Sequence, residues 1–246
     1  MSLYTIADLH LSTFDKTNNS MEVFGKSWAD YMTRIENNWR RLISDEDTVV
    51  IPGDISWALS LEEAESDLRF LDSLPGKKIL GKGNHDYWWS TVTKMTAFFE
   101  EHNISGMEFL FKNAIETDDF IITGTRGWYT EDKQSAAPDT ADYEKIVARE
   151  AARLKLGLKS AEALKREGDT RETLVFFHFP PVFRGFVCRE FIDIMKEFGV
   201  KRAYFGHIHG VYDLERSFNY EGIDFIITSA DFLSFVPLAI MPDIDY

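Results

Sequence analysis

Short apolar runs, each followed by a polar or glycine-containing turn, recur along the whole chain and limit its possible folds more than any other feature. Their length and composition predict seven buried strands, at 3–7, 48–52, 78–81, 120–123, 174–177, 202–205 and 224–228. Apolar residues at spacings of three and four predict helices at 28–43, 61–74, 91–102 and 189–198, with Ser60 and Ser90 as N-caps. Alternating strands and helices predict an α/β fold with helices packed outside a sheet.

Two segments depart from this alternation. Residues 138–168 are rich in Ala, Lys and Glu, and Tyr143, Val147, Ala151, Leu154 and Leu158 recur at helical spacing. This pattern predicts one or two amphipathic helices inserted after the strand at 120–123. Two functions stay open for the insertion: a helix that covers a sheet, which is the favoured interpretation, or a lid that faces substrate. Residues 211–240 predict β-hairpins that complete a sheet, and the 246 residues are expected to form a single domain.

The charge balance limits the class of partner. With 27 basic and 41 acidic residues, the chain has a formal net charge of −14. Such a surface repels nucleic acid and anionic membranes, so we expect a small-molecule substrate. The single cysteine, Cys188, cannot form an internal disulfide, and the first residues resemble neither a signal peptide nor a membrane span. A cytoplasmic protein is therefore expected, and nothing in the sequence indicates its oligomeric state.

Polar clusters that hold five of the six histidines follow the predicted strands directly. The segments are Asp8-Leu9-His10, Gly53-Asp54, Gly83-Asn84-His85-Asp86, His178 and Gly206-His207-Ile208-His209. Ligands of open α/β sheets bind outside the carboxyl ends of the strands, so these segments should converge if the strands are parallel. A mixed set of imidazoles and carboxylates indicates Mn, Fe, Zn, Co or Ni rather than Ca. The sixth histidine, His102, is expected only to contact the carbonyl end of a helix.

As a set, these motifs resemble those of the calcineurin-like metallophosphoesterase superfamily, and the resemblance spans nearly the whole chain. It implies an α/β fold with two mixed β-sheets sandwiched between helices, in four layers α/β/β/α, and a dinuclear metal centre at one end of the sheets. The ligands carried over by position are Asp8, His10 and His209 for one metal, Asn84, His178 and His207 for the other, and Asp54 as the bridge.

The resemblance also implies that His85 is the catalytic general acid that protonates the leaving oxygen. Asp86 would either help to orient the ring of His85 or cap a turn. Two divalent ions held by two carboxylates and neutral ligands leave a centre of about +2, which favours a phosphate, and a bridging hydroxide would be the nucleophile. The predicted cofactors are two divalent or trivalent metal ions, with Mn first and Fe, Zn, Co or Ni as alternatives.

The expected function is that of a stand-alone bacterial-type phosphohydrolase that cleaves a small-molecule phosphomonoester or phosphodiester. Protein Ser/Thr phosphatases carry Gly-Asp-x-x-Asp-Arg-Gly at the second motif, whereas this chain lacks that arginine after Asp54. A nuclease of the same superfamily is the alternative enzyme, and a non-catalytic protein-binding scaffold is disfavoured by the complete ligand set. Arg126 and Arg184 could contact a phosphate, although a structural role is favoured for each. Trp88 and Trp89 could wall the pocket or fill the core.

Overall fold

A computed structural model of the chain describes residues 1–14, 20–128 and 140–242. Short 3-10 helices span Met21–Phe24 and Lys26–Trp28. The remaining elements, in chain order, are β1 (Leu3–Thr5), α1 (Tyr31–Leu42), β2 (Thr48–Ile51), α2 (Leu61–Asp72), β3 (Lys77–Leu80), α3 (Val92–Glu101), β4 (Met107–Phe109), β5 (Ala114–Glu116), β6 (Phe120–Thr125), α4 (Thr140–Leu164), β7 (Glu172–Phe177), β8 (Val182–Phe183), β9 (Phe186–Val187), α5 (Arg189–Glu197), β10 (Arg202–Phe205), β11 (Ser217–Tyr220), β12 (Ile223–Ile227) and β13 (Leu238–Ile240).

The strands form two mixed sheets and a small hairpin. The first sheet has the order β13-β1-β2-β3-β4, in which β1 to β4 are parallel and β13 is antiparallel to β1. The second has the order β11-β12-β10-β7-β6-β5, in which the four central strands are parallel and both edge strands antiparallel. Among the described residues, β8 and β9 pair only with each other. The parallel strands of each sheet therefore present their carboxyl ends at a common edge.

The two sheets pack face to face, and helices cover their outer faces. Because successive side chains of a strand point to opposite faces, Val50 and Ile79 of the first sheet meet Phe176 and Tyr204 of the second in one buried cluster. On the outer face, Val49 packs in a cluster with α1, α2 and α3. Residues of the second sheet do the same with α4 and α5. The strands are apolar on both faces because both faces are covered.

This arrangement confirms the predicted four-layer fold. All seven predicted strands and four predicted helices form, with small shifts at their ends. Ser60 caps α2 as predicted, since its side chain accepts a hydrogen bond from Glu63 N. The N-cap prediction for Ser90 was wrong: Thr91 caps α3, and its hydroxyl accepts from Lys94 N. β4 and β5 were not predicted because each has only three residues, too few to show a period.

The two segments that departed from the alternation adopt regular structure. A single helix, α4, occupies 140–164 of the predicted insertion, whose first residues lie outside the described part of the chain. In the segment 211–240, β11 and β12 form a hairpin, whereas β13 crosses to the other sheet and pairs with β1. No helix among the described residues is long and apolar enough to cross a membrane. That the chain forms one domain stays a prediction.

Candidate metal centre

The polar segments converge where the carboxyl ends of the two sheets meet. Asp8, Asp54 and Asn84 follow β1, β2 and β3, whereas His178 and His207 follow β7 and β10. The end of β1 connects the sheets, because Ala7 N donates to Thr228 O at 2.8 Å and Ala230 N donates to Ala7 O at 2.9 Å. In open α/β sheets, ligands bind outside the carboxyl ends of the strands. Here the polar segments lie in the same way at the strand ends of two sheets that are joined at one edge.

The histidines and aspartates among the predicted metal ligands form two groups. In each group, one potential ligand atom per residue lies within 4.8 Å of the others. The groups are Asp8, His10 and His209, and Asp54, His178 and His207.

Asp54 and Asn84 complete the arrangement. Asp54 Oδ2 lies 3.7 Å from His10 Nε2 of the first group and 3.5 Å from His178 Nε2 of the second. This carboxylate oxygen can therefore reach a cation in either group. Asn84 Oδ1 lies 2.6 Å from His178 Nε2, which places the amide beside the second group.

Four residues of this site have a left-handed backbone conformation that residues other than glycine rarely adopt. The φ angles of Asp8, His10, Asp54 and His207 are 59°, 45°, 52° and 69°. Each such left-handed residue costs on the order of 1 kcal/mol or more and persists only where neighbours fix it. His10 N, for example, donates to Asp54 O at 2.9 Å.

The glycines before Asp54 and Asn84 allow this close packing. A Cβ on Gly83 would lie 2.0 Å from Asp54 Oδ1, and a Cβ on Gly53 would lie 2.5 Å from Gly83 N. Gly53 also has a φ of 107°. A side chain at either position would separate the loops that follow β2 and β3.

Burial controls the charge of these groups. Burial is the largest cause that lowers the pKa values of His10 and His178 well below the usual value, and the neighbouring imidazoles are the next. Burial also lowers the pKa of His207 to about 4. Burial also raises the pKa of Asp8 to about 6 and that of Asp54 well above its usual value, the latter helped by the carboxylates of Asp86 and Asp8. Neutral imidazoles are the metal-binding form, and buried carboxylates need a cation to be stable as anions.

The donor set therefore fits metal ions. Asp8 Oδ1 is buried and has no hydrogen-bond partner within the described residues. Buried polar atoms without partners are rare in folded proteins, and a cation is one of the partners that explain them. Oxygen and imidazole ligands together suit borderline transition metals.

His85 lies beside the first group, at an aromatic cleft. Its ring is 5.6 Å from that of His10 and 4.4 Å from that of Trp57, centroid to centroid. Trp57 also stacks on His10 at 4.8 Å. These rings border a cleft of about 460 Å³, whose lining includes Trp28 and Tyr212. A group bound in this cleft would face both His85 and the first group.

Comparison with known proteins agrees with this geometry. The model of the calcineurin-like phosphoesterase family matches residues 1–211. The chain belongs to that family. Family membership and the two ligand groups together support a metal-dependent phosphoesterase. No curated protein matches the chain in sequence.

Solved structures resemble this phosphoesterase in fold. One of them, 13% identical, covers 92% of this chain and 89% of its own, with a TM-score of 0.56. The protein TT1561 of Thermus thermophilus is 9% identical and covers 97% of both chains, with a TM-score of 0.51. The protein of unknown function AQ665 from Aquifex aeolicus is 19% identical over 97% of this chain and 95% of its own, with a TM-score of 0.48. At these identities the likeness of the first two structures concerns the fold alone.

Sequence reasoning missed Asp231 in this phosphoesterase. Its Oδ1 lies 2.8 Å from His209 Nδ1, and its Oδ2 accepts from Gly210 N and from the Tyr212 hydroxyl, both at 3.0 Å. Burial tends to lower the pKa of His209, but this hydrogen bond and the charges of Asp8 and Asp231 raise it. A carboxylate on Nδ1 turns Nε2 of the same ring toward a metal. Asp231 follows β12, so the strand-end rule that found the other segments could have found it.

Asp86 connects the two loops and does not orient His85. Its carboxylate accepts hydrogen bonds from Asp54 N at 2.9 Å, Ile55 N at 2.8 Å, Gly83 N at 2.7 Å and the Trp88 indole at 3.0 Å. His85 Nδ1 has no hydrogen-bond partner within the described residues. The turn-capping alternative for Asp86 is therefore the one that the structure shows.

The remaining singled-out residues lie outside the two groups. His102 is the C-cap of α3; it stacks on Phe98 at 4.0 Å and pairs with Glu65 at 2.9 Å, so it is structural. Arg184 is exposed at the turn between β8 and β9. Trp88 and Trp89 both pack in the core that covers the first sheet.

Proposed function

We propose that this phosphoesterase is a dinuclear hydrolase of small-molecule phosphomonoesters or phosphodiesters. The observation that carries the proposal is the position of Asp54 Oδ2, within 4 Å of a histidine nitrogen in each ligand group. In this proposal Asp8, His10 and His209 hold one ion, Asn84, His178 and His207 hold the other, and Asp54 contributes to both. Mn is the first candidate, with Fe, Zn, Co or Ni as alternatives.

The chain's own groups favour a phosphate at this position. Two ions bound there would polarise a phosphoryl oxygen and activate a water near neutral pH. Four of the seven ligand side chains are imidazoles, and the pKa values of three of these are lowered by burial, so only Asp8 and Asp54 offset the charge of the ions. The net positive charge that remains can bind the phosphoryl oxygens.

His85 is proposed as the general acid. Its half-buried ring borders the cleft beside the first ligand group, where a leaving oxygen would lie. The contact with Trp57, whose ring is 4.4 Å away, holds the imidazole without using either of its nitrogens. Both nitrogens are thus left for the substrate, and since burial lowers the pKa of the ring, it would act as the acid once a bound phosphate favours its protonated form.

The cleft limits the size of the leaving group. A volume of about 460 Å³ suits a small organic molecule, and its aromatic walls suit a flat or apolar group. The net charge of −14 opposes long polyanions, so the proposed substrate is a small molecule and the nuclease remains the alternative. A cytoplasmic location is part of the same proposal.

Hydrolysis by Mn²⁺-reconstituted protein tests the proposal. p-Nitrophenyl phosphate and bis(p-nitrophenyl) phosphate would be compared, with a chelated sample as control and single-stranded DNA as a third substrate. We expect metal-dependent release of p-nitrophenol from one of the two esters. Cleavage of DNA in preference to both esters would support the nuclease, and equal rates with and without chelator would refute the metal-dependent mechanism.

A further inference from the structure

A second cleft, of about 680 Å³, lies between α3, α4 and the carboxyl end of β6. It is strongly basic although the chain is acidic. Five of its lining side chains are cationic, and one, Glu150, is anionic; the cations are Lys82, Lys112, Arg126, Arg149 and Arg153. With a whole-chain charge of −14, such a concentration of positive charge requires a specific explanation.

Glu150 offsets only part of this charge. Its buried carboxylate accepts from Arg153 at 2.6 Å and from the Thr125 hydroxyl at 2.7 Å, and Arg149 approaches it at 3.4 Å. Nε of Arg126 and Nε of Arg153 are buried and have no hydrogen-bond partner within the described residues. Glu150 therefore does not use all the donors of these two guanidinium groups.

The ring of Phe111, which lines the cleft, contacts two of the cations. Lys112 Nζ lies 4.9 Å from the centre of the Phe111 ring, and the Arg153 guanidinium lies 5.0 Å from the same ring. α4 is fixed against the sheet, since a Cβ on Gly157 would lie 2.2 Å from Thr123 Oγ1. The charges contributed by α4 are therefore preorganised.

Arg126 connects this cleft to the candidate metal centre. Its guanidinium lies 5.9 Å from the ring centre of Phe179, and that ring contacts His207 at 4.5 Å and His178 at 4.9 Å, centroid to centroid. Lys82, which also lines the cleft, is two residues before Asn84. The cleft therefore lies on the side of the second ligand group.

We infer that the basic cleft binds a second phosphate group of the substrate while the scissile phosphate lies at the metal centre. The inference rests on the proposed function and specifies its substrate class as small molecules that carry two phosphate groups. It also gives the helical insertion a direct part in substrate binding, through Arg149 and Arg153.

Anion binding to metal-free protein tests the cleft separately from catalysis. Inorganic pyrophosphate would be titrated calorimetrically into protein from which metals and chelator have been removed. Lys112→Gln and Arg149→Gln are each expected to weaken binding roughly tenfold, as for the loss of one charge-assisted contact. Lys201→Gln is the matched control, because it removes an exposed charge at the amino end of β10, outside the cleft.

Pyrophosphate binding that weakens in both cleft variants and not in the control supports the inference. Absence of binding, or equal affinity in all four proteins, overturns it. In reconstituted protein, adenosine 3′,5′-bisphosphate should have a KM roughly tenfold below that of adenosine 5′-monophosphate, and Arg149→Gln should reduce this ratio; an equal KM for both also counts against the inference. Anion binding without any metal-dependent hydrolysis would instead refute the proposed function and leave the cleft as an anion site.

Discussion

Replacing Asp231 by Asn tests whether the first ligand group binds a metal. Asp231 makes three hydrogen bonds within 3.0 Å, to His209 Nδ1, Gly210 N and the Tyr212 hydroxyl. An amide cannot accept all three, because one of its two ends is a donor. Asp231→Asn thus loses the charge opposite His209 and at least one of the three hydrogen bonds that fix the position of this side chain. Outer partners of this kind contribute about 10- to 100-fold to metal affinity, or roughly 1.4–2.7 kcal/mol.

The assay is a competition titration of Mn²⁺ against a chromophoric chelator, which measures the affinity of each of the two sites. We expect only one of the two sites to weaken, because Asp231 contacts the first group alone. Tyr212→Phe is the control: it removes one hydrogen bond from Asp231 and leaves the bond to His209, so its effect should be several-fold smaller. Unchanged affinity in Asp231→Asn would refute the assignment of His209 as a ligand oriented by this carboxylate.

Three further predictions concern the site and the core. His85→Ala should retain two bound metals by elemental analysis but slow esters with poor leaving groups by about 10²- to 10⁴-fold; unchanged turnover of such esters would exclude it as the acid. Asp54→Asn should lower the content of both metals, and full occupancy would remove Asp54 as a shared ligand. Burial lowers the pKa of Lys78 from 10.5 to about 8, which costs the folded protein roughly 3 kcal/mol at pH 7. Stability should therefore rise between pH 8 and 10.5, where the folded state loses the proton first. Lys78→Met should abolish that rise. Once the lost hydrogen bond to Leu74 O is subtracted, the substitution should add roughly 2 kcal/mol to the free energy of unfolding at pH 7. Urea titrations with an unchanged pH profile would contradict this.

The segments that converge in the structure could be found in the sequence because they follow strands that are easy to recognise. A run such as 48–52 is buried on both faces, so its apolar residues are continuous and its end is marked by Gly53 and Asp54. The same logic located the segments after β1, β3, β7 and β10. It could not predict that these ends belong to two sheets, because strand order depends on long-range pairing such as that of Ala7 with Ser229. The two-sheet arrangement came from the family resemblance instead.

The contacts around the predicted ligands could not be predicted from the sequence, for a different reason. The position of Trp57 between His10 and His85 depends on a loop conformation in which Leu11 pairs with Ser56, and no periodic pattern encodes such a bridge. Asp86 could have oriented a ring or capped a turn from its position alone. The structure shows the second because five backbone and indole donors point at it, including Asp54 N and Gly83 N.

Net charge acts differently on long polyanions and on small anions. A charge of −14 acts on a nucleic acid along its whole length, whereas screening limits it to about 8 Å for a small ion that approaches one basic cleft. The five cations between α3 and α4 therefore attract a phosphate although most of the surface repels it. We expect affinity for pyrophosphate to fall steeply between low and physiological salt, because exposed cations such as Lys112 contribute much of it. Binding that does not change with salt would contradict a contribution from these exposed cations.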